Sequence, residues 1–257
     1  MSSIIEVREL SCKYSENGPY ILENNSFEIQ GGSITAIAGL SGCGKSTLAF
    51  CLCGAIPKGL TGITEGSIAI EGRDTRELSL PELSKRIGIV FQDVDDQLFL
   101  PTVEAEIAFA PENMCLPKEE IGAVVTRVLK TLGIEHLRDA NPTKLSGGEK
   151  HLVAIASVMS LDPGIIILDE VLSQLDRDNK ELIAGVIRQL KAAGKTIIFI
   201  DHSIRNLLLA DTILLMRAGR IMDRIEVGND HELLYGRLTE FFLFGKEQSL
   251  PRGQLQL

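Results

Sequence analysis

No stretch of this 257-residue chain holds the roughly 20 consecutive apolar residues that a membrane-spanning helix needs. The longest near-apolar run, Leu152–Leu161, is about half that length and reads as a buried helix. An excess of positive charge is also missing. The formal charge is −9 at pH 7, which argues against bulk DNA or RNA as a partner, since non-specific nucleic-acid binding rests on clustered lysine and arginine. The first residues carry Glu6, Arg8 and Glu9 among apolar ones and hold no signal-peptide core, so a cytosolic address is expected. Five cysteines, an odd number without the spacing of a disulfide framework, agree with that address. Cys51 and Cys53 look like a metal pair, but two positions on a helix means about 200° of rotation, which sends them to opposite faces.

What is present is a chain long enough for one large or two small domains with a substantial core, and one stretch of unusual chemistry. In Gly39-Leu-Ser-Gly-Cys-Gly-Lys-Ser-Thr47, glycines, a lysine and a hydroxyl pair stand between the apolar run Ile34–Ala38, read as a buried strand, and Leu48, Ala49, Phe50 and Leu52, read as the start of a helix. That order is the context a phosphate-cradling loop requires. Backbone N–H groups of Gly39, Leu40, Ser41, Gly42, Cys43, Gly44 and the helix N-terminus would face the anion, Lys45 would reach the outer phosphates, and Ser46 would offer its oxygen to magnesium. A glycine-rich turn without a ligand is the alternative. Cys43 sits beside a helix N-terminus, where a thiolate is favoured; oxidation there would block nucleotide entry, while the plainer reading is a small tolerated side chain.

The remaining pattern is expected to be α/β with a mostly parallel sheet. Residues 4–9 and 26–30 read as strands of an antiparallel edge, and Gly66–Ile70 as another strand. From Leu80 to Leu161 one strand, Ile87–Phe91, precedes helical periodicity broken by Pro101, Pro111, Pro117 and Pro142, as in an inserted helical lobe. Buried runs Ile165–Leu168, Thr196–Ile200 and Thr212–Met216 follow, the first two separated by a helical stretch Lys180–Ala193. Arg217-Ala-Gly-Arg220 reads as a hairpin turn. The expected organisation is a single domain over 1–257: a core from 1–79 and 162–246, a helical subdomain over 80–161, and a loose polar tail over 247–257.

Leu145-Ser-Gly-Gly-Glu149, followed by the apolar helix from Leu152, resembles the signature motif of ATP-binding cassette (ABC) ATPases, P-loop NTPases with an inserted α-helical subdomain. The resemblance implies that Ile165-Ile-Ile-Leu-Asp-Glu170 is the Walker B strand with catalytic Glu170, that Ser173-Gln-Leu-Asp176 is the D-loop, that His202 is the switch histidine and that Gln92 is the Q-loop glutamine. Tyr14 falls where the family stacks an aromatic ring on adenine. The residues have reasons of their own. Asp169 ends an apolar strand at the carboxyl edge of the sheet, where open α/β folds bind ligands and a water-bridged magnesium can sit. Ser46, Gln92 and Asp169 are the candidate magnesium residues. Glu170, next along, can deprotonate the attacking water, help worth on the order of 10²–10⁴ in rate, and His202 ends a strand at the same edge. Ser146 followed three residues later by Glu149 is also a capping box, and a capped helix with Gly147 and Gly148 at its mouth presents N–H groups to an anion. The resemblance implies that this surface, with Asp176, closes over ATP bound to a second subunit.

Two departures stand out: Glu149 replaces the family's commonest glutamine, and Val171-Leu172 replaces its usual Pro-Thr. A carboxylate near the γ-phosphate would repel it unless its oxygen turns back to the Ser146 N–H. With Lys45, Asp169, Glu170 and His202 intact, hydrolysis is still expected. Gln92-Asp-Val-Asp-Asp-Gln-Leu-Phe-Leu-Pro-Thr-Val103 and Glu104-Ala-Glu-Ile-Ala-Phe-Ala-Pro111 are similar to the ATPases of energy-coupling factor importers for vitamins or cobalt and nickel. That likeness implies a homodimer or heterodimer on the cytoplasmic face of the cell membrane, beneath a transmembrane T component and a substrate-binding membrane subunit. Asp93, Asp95 and Asp96 either receive the T component's arginines or form a solvated loop. A catalytically weak regulatory subunit and a non-transport ABC ATPase remain as other readings.

Overall fold

A computed structural model describes residues 2–248 except 174 and 229. The first two strands, β1 (Ser3–Lys13) and β2 (Leu22–Gln30), are antiparallel. β3 (Ile34–Ala38) runs into the phosphate loop and α1 (Lys45–Leu52), followed by the short segment α2 (Ala55–Lys58). β4 (Ile63–Ile70), β5 (Arg73–Asp74), α3 (Leu80–Ser84) and β6 (Ile87–Val90) come next. A helical stretch holds α4 (Val103–Asn113), α5 (Lys118–Leu132) and α6 (Gly147–Met159). The chain then alternates β7 (Ile165–Asp169), α7 (Arg177–Ala192), β8 (Thr196–Asp201), α8 (Ile204–Leu207) and β9 (Thr212–Arg217), and closes with β10 (Arg220–Glu226) and α9 (His231–Gln248).

The main sheet has the order β10-β9-β3-β8-β7-β6 and is parallel except at β10. The central parallel strands β3, β7, β8 and β9 are apolar on both faces because both are covered, whereas β10 is mostly exposed. Ile166, Leu168, Ile197, Phe199, Ile213 and Leu215 point into one core with the helices α4–α7 and α9. Their neighbours Ile165, Ile167, Ile198, Ile200, Leu214 and Met216 point into a second core, shared with Leu48, Ala49 and Leu52 of α1 and Ile5, Val7 and Leu10 of β1.

Here one expectation needs correcting. The early strands are not an edge of the parallel sheet. They form a separate four-stranded antiparallel sheet, β2-β1-β4-β5, whose buried side lies across α1, so that α1 is covered from both sides. The antiparallel edge of the main sheet is β10, returned by the turn at Ala218 (φ 45°) and Gly219 (φ 78°). Pro111 also does not break its helix: it lies inside α4, two residues from its end, where its missing N–H forgoes one bond, to the Ile107 carbonyl, in the last turn. β6, the one strand inside 80–161, joins the main sheet, and α4, α5 and α6 pack on one another. Residues 247 and 248 end α9 instead of opening a loose tail; the rest of that expected tail, residues 249–257, lies outside the described residues.

Register fixes the working edge. Ala38 pairs with Asp201, and Ile200 with Asp169. The phosphate loop after β3, Glu170 after β7 and His202 after β8 therefore leave the sheet side by side, at the strand ends where open α/β folds bind ligands.

Candidate active site

The phosphate loop is pinned from below. A Cβ on Gly39 would lie 2.3 Å from the Met216 carbonyl oxygen and 2.7 Å from the Cys43 sulfur, so only glycine lets the loop sit this close to β9. Gly42 and Gly44 adopt φ of 77° and 106°, and Gly44 leads directly into α1. The Gly219 N–H donates to the Cys43 carbonyl at 2.9 Å. The Cys43 thiol is thus packed inward, and burial pushes it up, against the opposing pull of Lys45. Of the two readings of Cys43, this favours the plainer one, a small tolerated side chain, over a thiolate at the helix N-terminus, because desolvation outweighs the dipole.

Lys45 is 4% exposed. Its ammonium donates to the carbonyls of Gly39 (3.0 Å) and Leu40 (3.1 Å) and lies 3.7 Å from Glu170 Oε1. The other oxygen, Glu170 Oε2, accepts from Gln92 Nε2 at 3.1 Å. Lysine, glutamate and glutamine, 125 residues apart at the extremes of the numbering, meet over a cavity of about 290 Å³ that Ser41, Gly42, Gly44, Ser46 and Thr47 also line. Thr47 shares a 3.0 Å hydrogen bond with the hydroxyl of Tyr14, which is half-exposed beside the loop.

Asp169 lies under this cluster, 2% exposed. Burial raises its carboxyl above the usual carboxylate range; the Ser46 hydroxyl beside it works the other way, and the neighbouring Glu170 charge adds to the rise. Its Oδ1 has no partner among the described residues. A buried carboxylate with an unpartnered oxygen beside a hydroxyl is a donor set that suits a hard, oxygen-seeking cation. No cluster of three or more His, Cys, Asp or Glu suited to a metal occurs among the described residues, and Cys51 packs beside Cys12 while Cys53 bonds the Phe50 carbonyl.

Glu170 has φ 50°, the left-handed region, which costs a non-glycine residue on the order of 1–3 kcal/mol. Its backbone is held from both sides: its N–H donates to the Ile200 carbonyl (3.1 Å), and the Ser173 N–H (3.1 Å) and hydroxyl (2.6 Å) donate to its own carbonyl. Val171 and Leu172 are buried at 1% and 2%, so the pair that replaces Pro-Thr anchors this segment in the core. His202 is exposed at the end of β8. Asp201 beside it was not anticipated. Fully buried, it accepts from the Ser203 N–H and from Asn206 Nδ2, both at 2.7 Å, and so fixes the turn that carries His202. An aspartate closing a buried strand ahead of a histidine was the available signal.

The signature segment stands apart. Ser146 caps α6: its Oγ accepts from the Glu149 N–H (3.4 Å), while Glu149 Oε2 accepts from the Ser146 N–H (2.8 Å) and hydroxyl (2.7 Å). The bond from the Ser146 hydroxyl lowers the Glu149 carboxyl below its ordinary value. The carboxylate is turned back as required. Ser146, Gly147 and Gly148 do not line the phosphate cavity of their own chain. A Cβ on Gly148 would sit 2.0 Å from Asn179 Oδ1; Asn179, also unanticipated, donates its N–H (2.9 Å) and Nδ2 (3.0 Å) to Asp176, the cap of α7. The signature and the D-loop aspartate are thereby joined; Gln174 between Ser173 and Asp176 lies outside the described residues.

Residues 22–173 match the profile of the family described as ABC transporter. The energy-coupling factor transporter ATP-binding protein EcfA1 of Ligilactobacillus salivarius is 40% identical over 222 residues, 86% of this chain and 77% of that one. Some relatives are longer, and the chain spans 38% and 40% of two of them. A solved structure of cbiO1 from Clostridium perfringens, part of the ABC transporter complex cbiONQ, superposes with a TM-score of 0.80 at 33% identity, covering 98% of this chain and 97% of that one. The ATP-binding cassette MJ0796, solved as a dimer bound to ADP and Pi, gives 0.74 at 26% identity, covering 88% and 99%. With the profile spanning more than half of the sequence and the fold shared nearly end to end with a solved cassette, this chain belongs to the ABC transporter family, as an ATP-hydrolysing subunit of a transporter.

Proposed function

We propose that the chain drives an importer of the energy-coupling factor type, for a vitamin or for cobalt or nickel, by closing on ATP as one half of a homodimer or heterodimer. The cluster of Lys45, Glu170 and Gln92 over a buried Asp169 with an unpartnered oxygen carries this reading. In it the loop Gly39–Thr47 holds the phosphates, Lys45 leaves its own carbonyls for the outer phosphates, and Tyr14 flanks the adenine. Ser46, Asp169 and Gln92 would hold magnesium, which neutralises developing phosphate charge when bound. Glu170 takes a proton from the attacking water, and His202 orients the terminal phosphate. Ser146, Gly147, Gly148 and Asp176 act in trans on the partner's nucleotide, in keeping with their place off the cavity of their own chain.

Docking to membrane subunits is supported by an apolar cleft of about 350 Å³ between α3, β6, α4 and α6, lined by Leu80, Ile89, Phe109, Met114 and Val158. Phe99 stands at 63% exposure with its ring edge-on to Phe109 at 5.2 Å, the kind of exposed apolar patch that marks an interaction site. Among the neighbouring acids, Asp95 already binds Lys150 at 2.6 Å and Asp93 caps the Asp95 N–H at 3.0 Å. Asp96 is then the acid left to receive a T-component arginine. The described residues include no helix long and apolar enough to cross a membrane, in keeping with a peripheral seat on the cytoplasmic face.

Glu170→Gln tests the chemistry in the assembled transporter. Turnover is expected to fall at least about 10²-fold with ATP affinity retained; turnover at the wild-type rate with both sites altered refutes the role.

A further inference from the structure

The cavity of about 560 Å³ between α7 and α8 is roughly twice the size of the phosphate cavity and has the opposite chemistry to the rest of this acidic chain. Positions 177, 181, 184 and 188 fall on one face of α7 by their three- and four-residue spacing. Ala184 leaves room between Lys180 and Arg188, whose backbones are about 12 Å apart along the axis. Arg205 of α8 completes the wall, and Leu172 and Leu209 add apolar surface. Arg177 has its countercharge in Glu181 at 3.4 Å. Among the described residues, none of Lys180, Arg188 and Arg205 forms an ion pair. Three uncompensated cations from two helices around one concavity repel one another, and an anion spanning them relieves that repulsion.

We propose that this groove is a second anion site, separate from the nucleotide site, for a small molecule carrying two or more phosphate or carboxylate groups. Guanidinium groups bind both in bidentate fashion, and the volume is in the range of small-molecule sites. The span of Lys180 to Arg188 calls for more than one anionic group. Ser203 and Asn206 also line the groove, and both bond Asp201 behind His202, so an occupant sits one residue from the switch histidine.

The test uses the full chain with its nucleotide site saturated by a non-hydrolysable ATP analogue at fixed free magnesium, and tripolyphosphate as the calorimetric probe. One further uptake event is expected, weakened by added salt. It should weaken at least tenfold in the charge-reversed Arg188→Glu/Arg205→Glu double variant and by less in Arg188→Gln/Arg205→Gln. Analogue affinity, the check on folding and on the nucleotide reading, should stay within twofold. No uptake by wild type, or equal uptake by the double variants, overturns the proposal. If the assembled transporter takes up no probe while the charge-reversed chain fails to assemble, an acidic partner segment occupies the groove and the small-molecule reading falls.

Discussion

Asp169→Asn should stabilise the free protein and abolish its stabilisation by magnesium-ATP. Asp169 is a nearly fully buried carboxylate with one unpartnered oxygen. Leaving such a group unsatisfied costs about 1–3 kcal/mol, more when charged, so removing the charge recovers an amount of that order. At about 2–4 °C per kcal/mol for a chain of this size, the melting temperature rises by roughly 2–12 °C. The pH dependence has a definite sign. Because burial raises the folded-state carboxyl, the unfolded chain ionises first as pH rises, and the penalty in wild type grows from nothing below the unfolded value of about 3.9 to its full extent above the raised folded value. The gap between variant and wild type must therefore close as pH falls through that window. With magnesium-ATP present the gap closes or reverses: nucleotide at 100 times its dissociation constant adds about 2.7 kcal/mol to wild type and little to a variant unable to hold the metal. Scanning calorimetry with and without magnesium-ATP, across pH, reads all three effects. A free variant that melts below wild type, or one that keeps the magnesium-ATP shift, refutes the argument that this carboxylate is held ready for a cation.

Ser146→Ala removes the cap of α6 and should lower stability by about 1 kcal/mol, yet leave ATP-analogue affinity of the single chain unchanged while dimer turnover falls at least tenfold; equal loss of affinity in the isolated chain would place Ser146 in its own site instead. Gly148→Ala drives a methyl into the Asn179 side chain and should push the mouth of α6 away from α7, reducing dimer closure on ATP in sedimentation; Asn179→Ala in the same chain relieves the clash and should restore part of it, and a double variant no better than Gly148→Ala refutes the contact.

Much of the working edge was legible because it is written locally. Ile34–Ala38, Ile165–Leu168 and Thr196–Ile200 are largely apolar runs, each followed within two residues by a candidate site segment or residue, the loop from Gly39, Asp169 with Glu170, and His202, so strand ends and candidate site residues were read together. The separate sheet was not legible: residues 4–9 and 26–30 alternate like any half-buried strands, and nothing local says whether their apolar side lies against α1 or continues the parallel sheet. α9 was missed because Leu234, Leu238, Phe241 and Phe242 follow a polar, glycine-bearing stretch; its place depends on a contact distant in sequence, Arg217 donating to the Phe241 carbonyl at 2.8 Å and stacking over its ring at 4.6 Å. Cys43 kept two readings open in the sequence for a related reason. The helix N-terminus beside it is visible in the sequence, whereas the desolvation that dominates its thiol comes from packing against Gly39 and β9.

The loop after β6 ties these parts into one device. Gln92 touches the catalytic-position carboxylate at 3.1 Å, and three residues on, Asp95 holds Lys150 on the signature helix at 2.6 Å. Gly148, two residues before Lys150, is in turn pressed against Asn179, which braces Asp176. A displacement of this loop must therefore act at Glu170 and at the signature together, since neither bond can follow it without moving its partner or breaking. The exposed Phe99 and Asp96 lie on the same loop. On the proposed function, a membrane subunit seated there would need no long relay to sense the nucleotide: its grip on one segment would bear directly on the chain's own hydrolytic carboxylate and on the surface offered to the partner's ATP.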